Sequence, residues 1–428
     1  MRDAATRLRG IFEANRAGAA QGVTSVCSAH PLVIRAALEL ARDRGQVAVI
    51  ESTCNQVNQD GGYTGMTPAV FAAQVRSMAR DVGLAEDMLV LGGDHLGPQP
   101  WRKLPAEEAM AKAVTMIEAY ARAGYAKLHL DCSMACAGEP EALGDALIAE
   151  RAARLAKAAE AAVDGPLPVY IVGTEVPAPG GMGEGHAITP TAPASVAETW
   201  RAHEEAFAAA GLGDVLARVV AIVVQPGLDF GNEDVVRFDP AEAVELAASV
   251  LTLDRAVYEA HSTDYQNAAA YNLLVGMHFA ILKVGPAATF ALREAIYALE
   301  LLARELPGWD AGMSVRDAME AEMLRNPAHW ASHYVGDAQQ QAYLRHFSYS
   351  DRLRYYWTAP AVEEAVRALF AFLDRGRLPM PLISQFLPQH VVAVAEGRLA
   401  PSAAALCVAT VKLALAPYAN ACGEHGSA

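Results

Sequence analysis

An aspartate and a histidine stand side by side in "LVLGGDHLGP", where an apolar run from Leu89 ends at Asp94 and His95. A carboxylate can take or return a proton, and an imidazole can do the same or hold a metal ion. Similar groups recur where other apolar runs stop: Glu51 in "QVAVIEST", His129 and Asp131 in "AKLHLDCS", Glu175 in "PVYIVGTEVP", and Glu259, His261, Ser262 and Asp264 in "AVYEAHSTD". A single Asp or Ser after a strand most often caps the next helix. Several imidazoles and carboxylates at the ends of such runs are more polarity than a core carries idly.

Histidine and carboxylate ligands together suit a divalent metal, zinc first, with manganese and cobalt as alternatives. Such an ion would polarise a carbonyl and stabilise an enediolate. The ligand candidates are His95, Glu175 and His261, with Asp94 a proton-transfer group or an orienting partner. Asp131, Glu259 and Asp264 are candidate bases or carboxylates behind the ligands, and His129 and His186 are weaker candidates. Ser28, His30, Glu51, Asn55, Gln59, Gln225 and Ser262 are the polar groups placed to meet a substrate. Lys283 in "HFAILKVGP" fits a phosphate contact or, less well, a Schiff base. Arg352 and Arg354 in "SDRLRYYW" fit a clamp on an anion, the alternative being an ion-paired helix face.

Positioning these groups together takes a particular scaffold. Eight β-branched runs begin near Val23, Gln46, Asp87, Ala126, Pro168, Arg218, Ala256 and His278, each followed by an Ala-rich helical pattern. That alternation marks βα units around a parallel sheet. No G-x-G-x-x-G follows the first run, and eight regular units favour a closed (β/α)8 TIM barrel over an open sheet. In such barrels the site lies at the carboxyl ends of the strands, where the residues above fall. From Leu306 strand signals give way to aromatic-rich helical segments. The expected organisation is a barrel over 1–305 and an all-helical extension over 306–428 packed on it.

Composition narrows the partners. With 34 Lys and Arg against 49 Asp and Glu, the net charge of -15 excludes phosphate-backbone binding as a general role, so no nucleic-acid partner is expected. No apolar run reaches about 18 residues, so no membrane partner is expected. The N-terminus lacks a signal-peptide pattern, and six dispersed cysteines read as free thiols, so a cytoplasmic homo-oligomer is expected.

With these residues laid out, the chain resembles the family of the second, accessory subunit of class II D-tagatose-1,6-bisphosphate aldolase, also described as a tagatose-6-phosphate kinase. The carrying segments are "CSAHP" from Cys27, "IESTCNQVNQDGGYTGMTP" from Ile50, "GGDHLGP" from Gly92, "LHLDCSM" from Leu128, "GTEVPAPGG" from Gly173, "QPGLDFG" from Gln225, "EAHSTDYQ" from Glu259 and "ILKVGPA" from Ile281. With "NPAHWASHY" and "SYSDRLRYYW" they cover nearly the whole chain. The same strands resemble, more distantly, the class II aldolases, which implies an aldolase-like (β/α)8 barrel with a zinc-dependent site. In that family an Asp-His pair ends a strand, the Asp as catalytic acid/base and the His as metal ligand, roles the resemblance carries to Asp94 and His95.

"LHLDCSM" resembles the next strand's Asp-x-Ser motif, and His261 matches a further ligand. The chain departs from the pattern in three places. Glu233 and Asp234 stand where a second metal His is expected, "STDYQ" replaces a Gly-Gly-Ser-Gly phosphate loop, and "KVGP" replaces an Asn-x-Asp-Thr phosphate motif. Glycine amides that would cradle the phosphate of dihydroxyacetone phosphate are thereby missing, and Glu175 is the residue that could complete the metal site.

Three functions follow. The leading one is an accessory subunit of the tagatose-bisphosphate aldolase system with a retained divalent-metal site, its partner the catalytic class II aldolase subunit. The alternative is a stand-alone metal-dependent 4-epimerase of a ketohexose or ketohexose phosphate, working by retro-aldol cleavage and re-addition or by proton transfer. A kinase is the weakest, because the sequence has no G-x-x-x-x-G-K-[ST].

Overall fold

The β-branched runs form eight parallel strands closed into a barrel: Val23–Cys27 (β1), Ala48–Thr53 (β2), Leu89–Leu96 (β3), Lys127–Leu130 (β4), Val169–Val172 (β5), Val219–Val224 (β6), Val257–Ala260 (β7) and Ile281–Val284 (β8). This computed structural model describes residues 3–173, 188–310, 312 and 314–423. Strands pair in chain order, and β8 closes on β1 with Ile281 opposite Val23 and Lys283 opposite Ser25. The (β/α)8 expectation holds.

Local chemistry sets where the helices begin and end. The His30 ring accepts the Leu32 N–H, Pro31 opens the helix Pro31–Arg44, and left-handed Gly45 closes it. Thr67, Pro68 and Gly83 do the same for Pro68–Val82.

Alternation along the strands sorts the barrel interior into layers. Val23, Val49, Val90, Val169, Val257 and Ile281 make an apolar floor, sealed by Leu8, Ile11 and Phe12 of the helix Ala4–Arg16. Two residues further along, Glu51 follows Val49, Glu259 follows Val257 and Lys283 follows Ile281, with Lys127 joining them from β4. Gly92 keeps that charged layer open, since a Cβ there would lie 2.7 Å from the Glu51 side chain.

Beyond Leu306 the described chain is helical and returns to the barrel twice. A short turn, Arg352–Tyr356, lies at the mouth, where Tyr355 stands 4.9 Å from Tyr63 ring to ring. The last helix, Ala403–Ala421, packs against Pro31–Arg44 and Pro286–Arg304. The Gln46 amide donates to the Ala419 carbonyl at 2.7 Å and the Tyr418 hydroxyl to the Thr263 carbonyl at 2.9 Å, fixing it there. This helix is long and apolar enough to cross a bilayer, but half of it is buried within the protein. All six cysteines are free.

Candidate active site

Four side chains meet at the carboxyl end of the barrel: Asp94 and His95 of β3, His129 of β4, and His261 just past β7. All are buried, and their candidate ligand atoms lie within 4.8 Å of one another. The three imidazole rings stand 4.9, 5.0 and 5.5 Å apart. His95 adopts a left-handed φ of 48°, a strain of about 1–2 kcal/mol for a residue with a Cβ. Strain of that kind persists where the surrounding structure over-determines a functional geometry.

Each ring is held from behind. Asp131 lies 2.9 Å from His95 Nδ1 and accepts the Ser133 hydroxyl at 2.6 Å, leaving His95 Nε2 on the inner side. Glu259 lies 2.9 Å from His261 Nε2. His129 Nε2 donates to the Gly173 carbonyl at 2.9 Å. Burial holds His129 below the ordinary imidazole value, against the pull of Asp94 in the other direction. Its unprotonated Nδ1, 3.3 Å from the His95 amide, therefore faces the Asp94 carboxylate across 3.1 Å. Carboxylates behind imidazoles in this way set the tautomer and basicity of metal-ligating histidines.

Beneath the rings, Lys127 bridges Glu51 at 2.6 Å and Glu259 at 2.7 Å. Lys283 contacts Asp94 and stands 3.2 Å from Glu51. Burial alone would raise Asp94, but the adjoining His95 and Lys283 charges hold it well below the carboxylate range. Burial likewise works against Glu259, and Lys127 and the His261 hydrogen bond hold it well below that range. Burial lowers Lys283, yet Asp94 and Glu51 carry it well above the usual lysine value. With the imidazoles neutral, the form that ligates a metal, Lys127 and Lys283 face Asp94, Glu51, Glu259 and Asp131, which leaves the buried layer short of positive charge. Uncompensated buried charge is costly. A divalent cation among the imidazoles offsets it, so both the donor set and the charge of the layer fit such an ion.

The rings open on a cavity of about 210 Å³. Asn55, Ser262, Asp264, Lys283 and Arg354 line it, together with Asp94, His95, Asp131 and His261. Glu51 and Glu259 lie below it with no exposed surface.

Five other predicted substrate groups turn toward nearby backbone and are not among the lining residues. Ser28 accepts the His30 amide, His30 caps its helix, Gln59 donates to the Lys112 carbonyl, Gln225 accepts the Gly227 and Leu228 amides, and Arg352 donates to the His329 carbonyl. Glu233 and Asp234 are exposed beside the two-residue ribbon Asp229–Phe230 and Val235–Val236, and belong neither to the cluster nor to the cavity lining. Glu175 and His186 lie outside the described residues.

His129 is the residue that sequence reasoning undervalued. Its alternation with Lys127 on β4 and with Asp131 just past that strand is the available signal. Cys27, Gln56, Tyr63 and Tyr355 also line the cavity. Gln56 and Tyr63 come from "NQVNQDGGYTG", whose Asn58 side-chain oxygen Oδ1 accepts the Asp60 and Gly62 amides. That loop needs Gly62, with φ 57° and no room for a Cβ, which would sit 2.3 Å from the Gln56 carbonyl oxygen.

Residues 8–423 match the family model described as D-tagatose-1,6-bisphosphate aldolase subunit GatZ/KbaZ-like. A relative from Agrobacterium fabrum (strain C58 / ATCC 33970), named D-tagatose 6-phosphate 4-epimerase, is 48% identical over 421 residues, covering 97% of this chain and 98% of its own. The crystal structure of a probable tagatose 6 phosphate kinase from Sinorhizobium meliloti 1021 is 51% identical with a TM-score of 0.87, over 94% of this chain and all of that one.

Proposed function

The chain belongs to the D-tagatose-1,6-bisphosphate aldolase subunit GatZ/KbaZ-like family, and from that premise we propose that it is a divalent-metal-dependent 4-epimerase of a ketohexose 6-phosphate, interconverting the tagatose and fructose configurations. The observation that carries the reading is the convergence of His95, His129, His261 and Asp94 beside a cavity, in a chain close to a relative named for that reaction. The three imidazoles would hold the ion, with Glu175 a further candidate and the Asp94 carboxylate beside them; their nitrogen-rich set suits zinc first, then manganese or cobalt. When bound, such an ion supplies the charge that polarises the ketose carbonyl and stabilises an enediolate.

The chain's own residues supply the rest. Asp94 takes the proton of the 4-hydroxyl as the C3–C4 bond breaks and its electron pair moves toward the carbonyl oxygen. The fragments are an enediolate and an aldehyde, both kept in the cavity. When the aldehyde turns its other face, the C–C bond forms again and Asp94 returns the proton to the oxygen, now on an inverted carbon. Lys283 keeps Asp94 ionised before the proton is taken and after it is returned, and Arg354, at the cavity wall, offers a guanidinium to the sugar's oxygens.

Metal analysis of the purified chain and an assay of that chain alone on tagatose 6-phosphate test the reading. The expected result is bound metal and fructose 6-phosphate formed without any partner, abolished by chelation and restored by the metal. Turnover only after the catalytic aldolase subunit is added would establish the accessory-subunit reading, which the family's description favours. A kinase has no phosphate-cradling motif in this sequence to rest on.

A further inference from the structure

One buried carboxylate at the mouth has no part in that chemistry. Asp264 is 2% exposed and lines the cavity. Its Oδ1 accepts the N–H of Gly285 at 3.1 Å and of Ala287 at 2.7 Å, at the amino terminus of the 19-residue helix Pro286–Arg304. That terminus follows β8, where (β/α)8 barrels commonly bind a phosphate on free backbone amides. Here the protein's own carboxylate holds those amides.

The loop carrying Asp264 is fixed. Ser262 and Tyr265 have left-handed φ values of 52° and 62°. The Tyr271 and Tyr418 hydroxyls donate to the Thr263 carbonyl at 3.0 and 2.9 Å, and the Thr263 hydroxyl donates to the Lys283 carbonyl. Asp264 is therefore not placed to swing aside for an incoming anion.

We propose that Asp264 is a specificity residue: an internal anion that fills the barrel's phosphate-binding helix terminus, so that ketoses phosphorylated at the end facing β7 and β8 are excluded. The sugar presents a free hydroxyl there, which donates to the carboxylate, and carries at most one phosphate, at its other end. This rests on the reading of the chain as a ketose-phosphate epimerase and names which phosphate esters it admits.

The test is calorimetric titration of the full-length native protein, Asp264→Gly and Asp264→Asn with fructose 1-phosphate and with inorganic phosphate. Native protein is expected to bind both weakly. Asp264→Gly, with the amides released and the like charge gone, is expected to bind fructose 1-phosphate about ten-fold more tightly or better. Asp264→Asn, whose amide oxygen can still occupy the terminus, should gain less. If Asp264→Gly does not fold, the Asn variant decides, and any reproducible tightening supports the proposal. Folded variants that bind fructose 1-phosphate no more tightly than native protein overturn it, and so does tight binding by native protein, whatever the variants do. Turnover of tagatose 6-phosphate by native protein is scored separately: its absence removes the epimerase reading and leaves the binding result standing.

Discussion

Asp94 and Asp264 are buried aspartates at strand ends of one barrel mouth, and their surroundings drive them in opposite directions. On the β3–β4 side, His95 and Lys283 outweigh burial and hold Asp94 well below the carboxylate range. On the β7–β8 side, burial outweighs the two backbone amides and pushes Asp264 up to about 6. The first carboxylate shares a centre with three imidazoles braced from behind by Asp131, Glu259 and the Gly173 carbonyl. The second is spent on the protein's own backbone. What distinguishes a group held for a ligand from one that closes a site is thus which partners its atoms already have, and residue type alone is silent on that.

Substitutions can break this contrast or sharpen it. The largest effect is expected from Asp94→Asn, which keeps the shape and removes the base: kcat on tagatose 6-phosphate should fall about 10²–10⁴-fold. Metal content measured on the same sample then separates a lost base from a lost ligand. Next comes Lys127→Met, in the layer joining the two sides. Leaving Glu51 and Glu259 without their shared ammonium should cost about 3–5 kcal/mol, read from the urea midpoint.

Asp264 supplies a pH signature of opposite sign to Asp94. Its folded value is raised from 3.8 to about 6, so its stabilising contribution is present below about pH 3.8 and is lost as pH rises through 6. Native stability relative to Asp264→Asn should therefore decline over that window, by on the order of 2–3 kcal/mol, and stay level above it. A flat difference between the two proteins would remove the contrast. The smallest effect is expected from Asp131→Asn, which loosens the support behind His95: metal affinity should weaken about 10–100-fold with the urea midpoint little changed.

Much of this site was legible before folding. Period-two alternation aims Glu51, Glu259 and Lys283 inward, and the rule that barrels work at the carboxyl ends of their strands puts Asp94, His95 and His261 at one mouth. Pro31 after His30 already marks a helix start, so the capping role of His30 is readable too, in place of the substrate contact expected of it. Gln59, Gln225 and Arg352 carry no such local mark, and their choice of nearby backbone depends on loop paths that composition does not encode.

By itself, then, the sequence determined the strands, their inward faces and the end at which polar groups gather, because those follow from local periodicity and turn chemistry. Closure of the barrel decided the rest: that His129 shares a centre with His95 and His261, and that Asp264 reaches the amides of Gly285 and Ala287. Distances between groups far apart in the chain are set by strand register and helix packing, and a few ångströms there separate a ligand site from a sealed one.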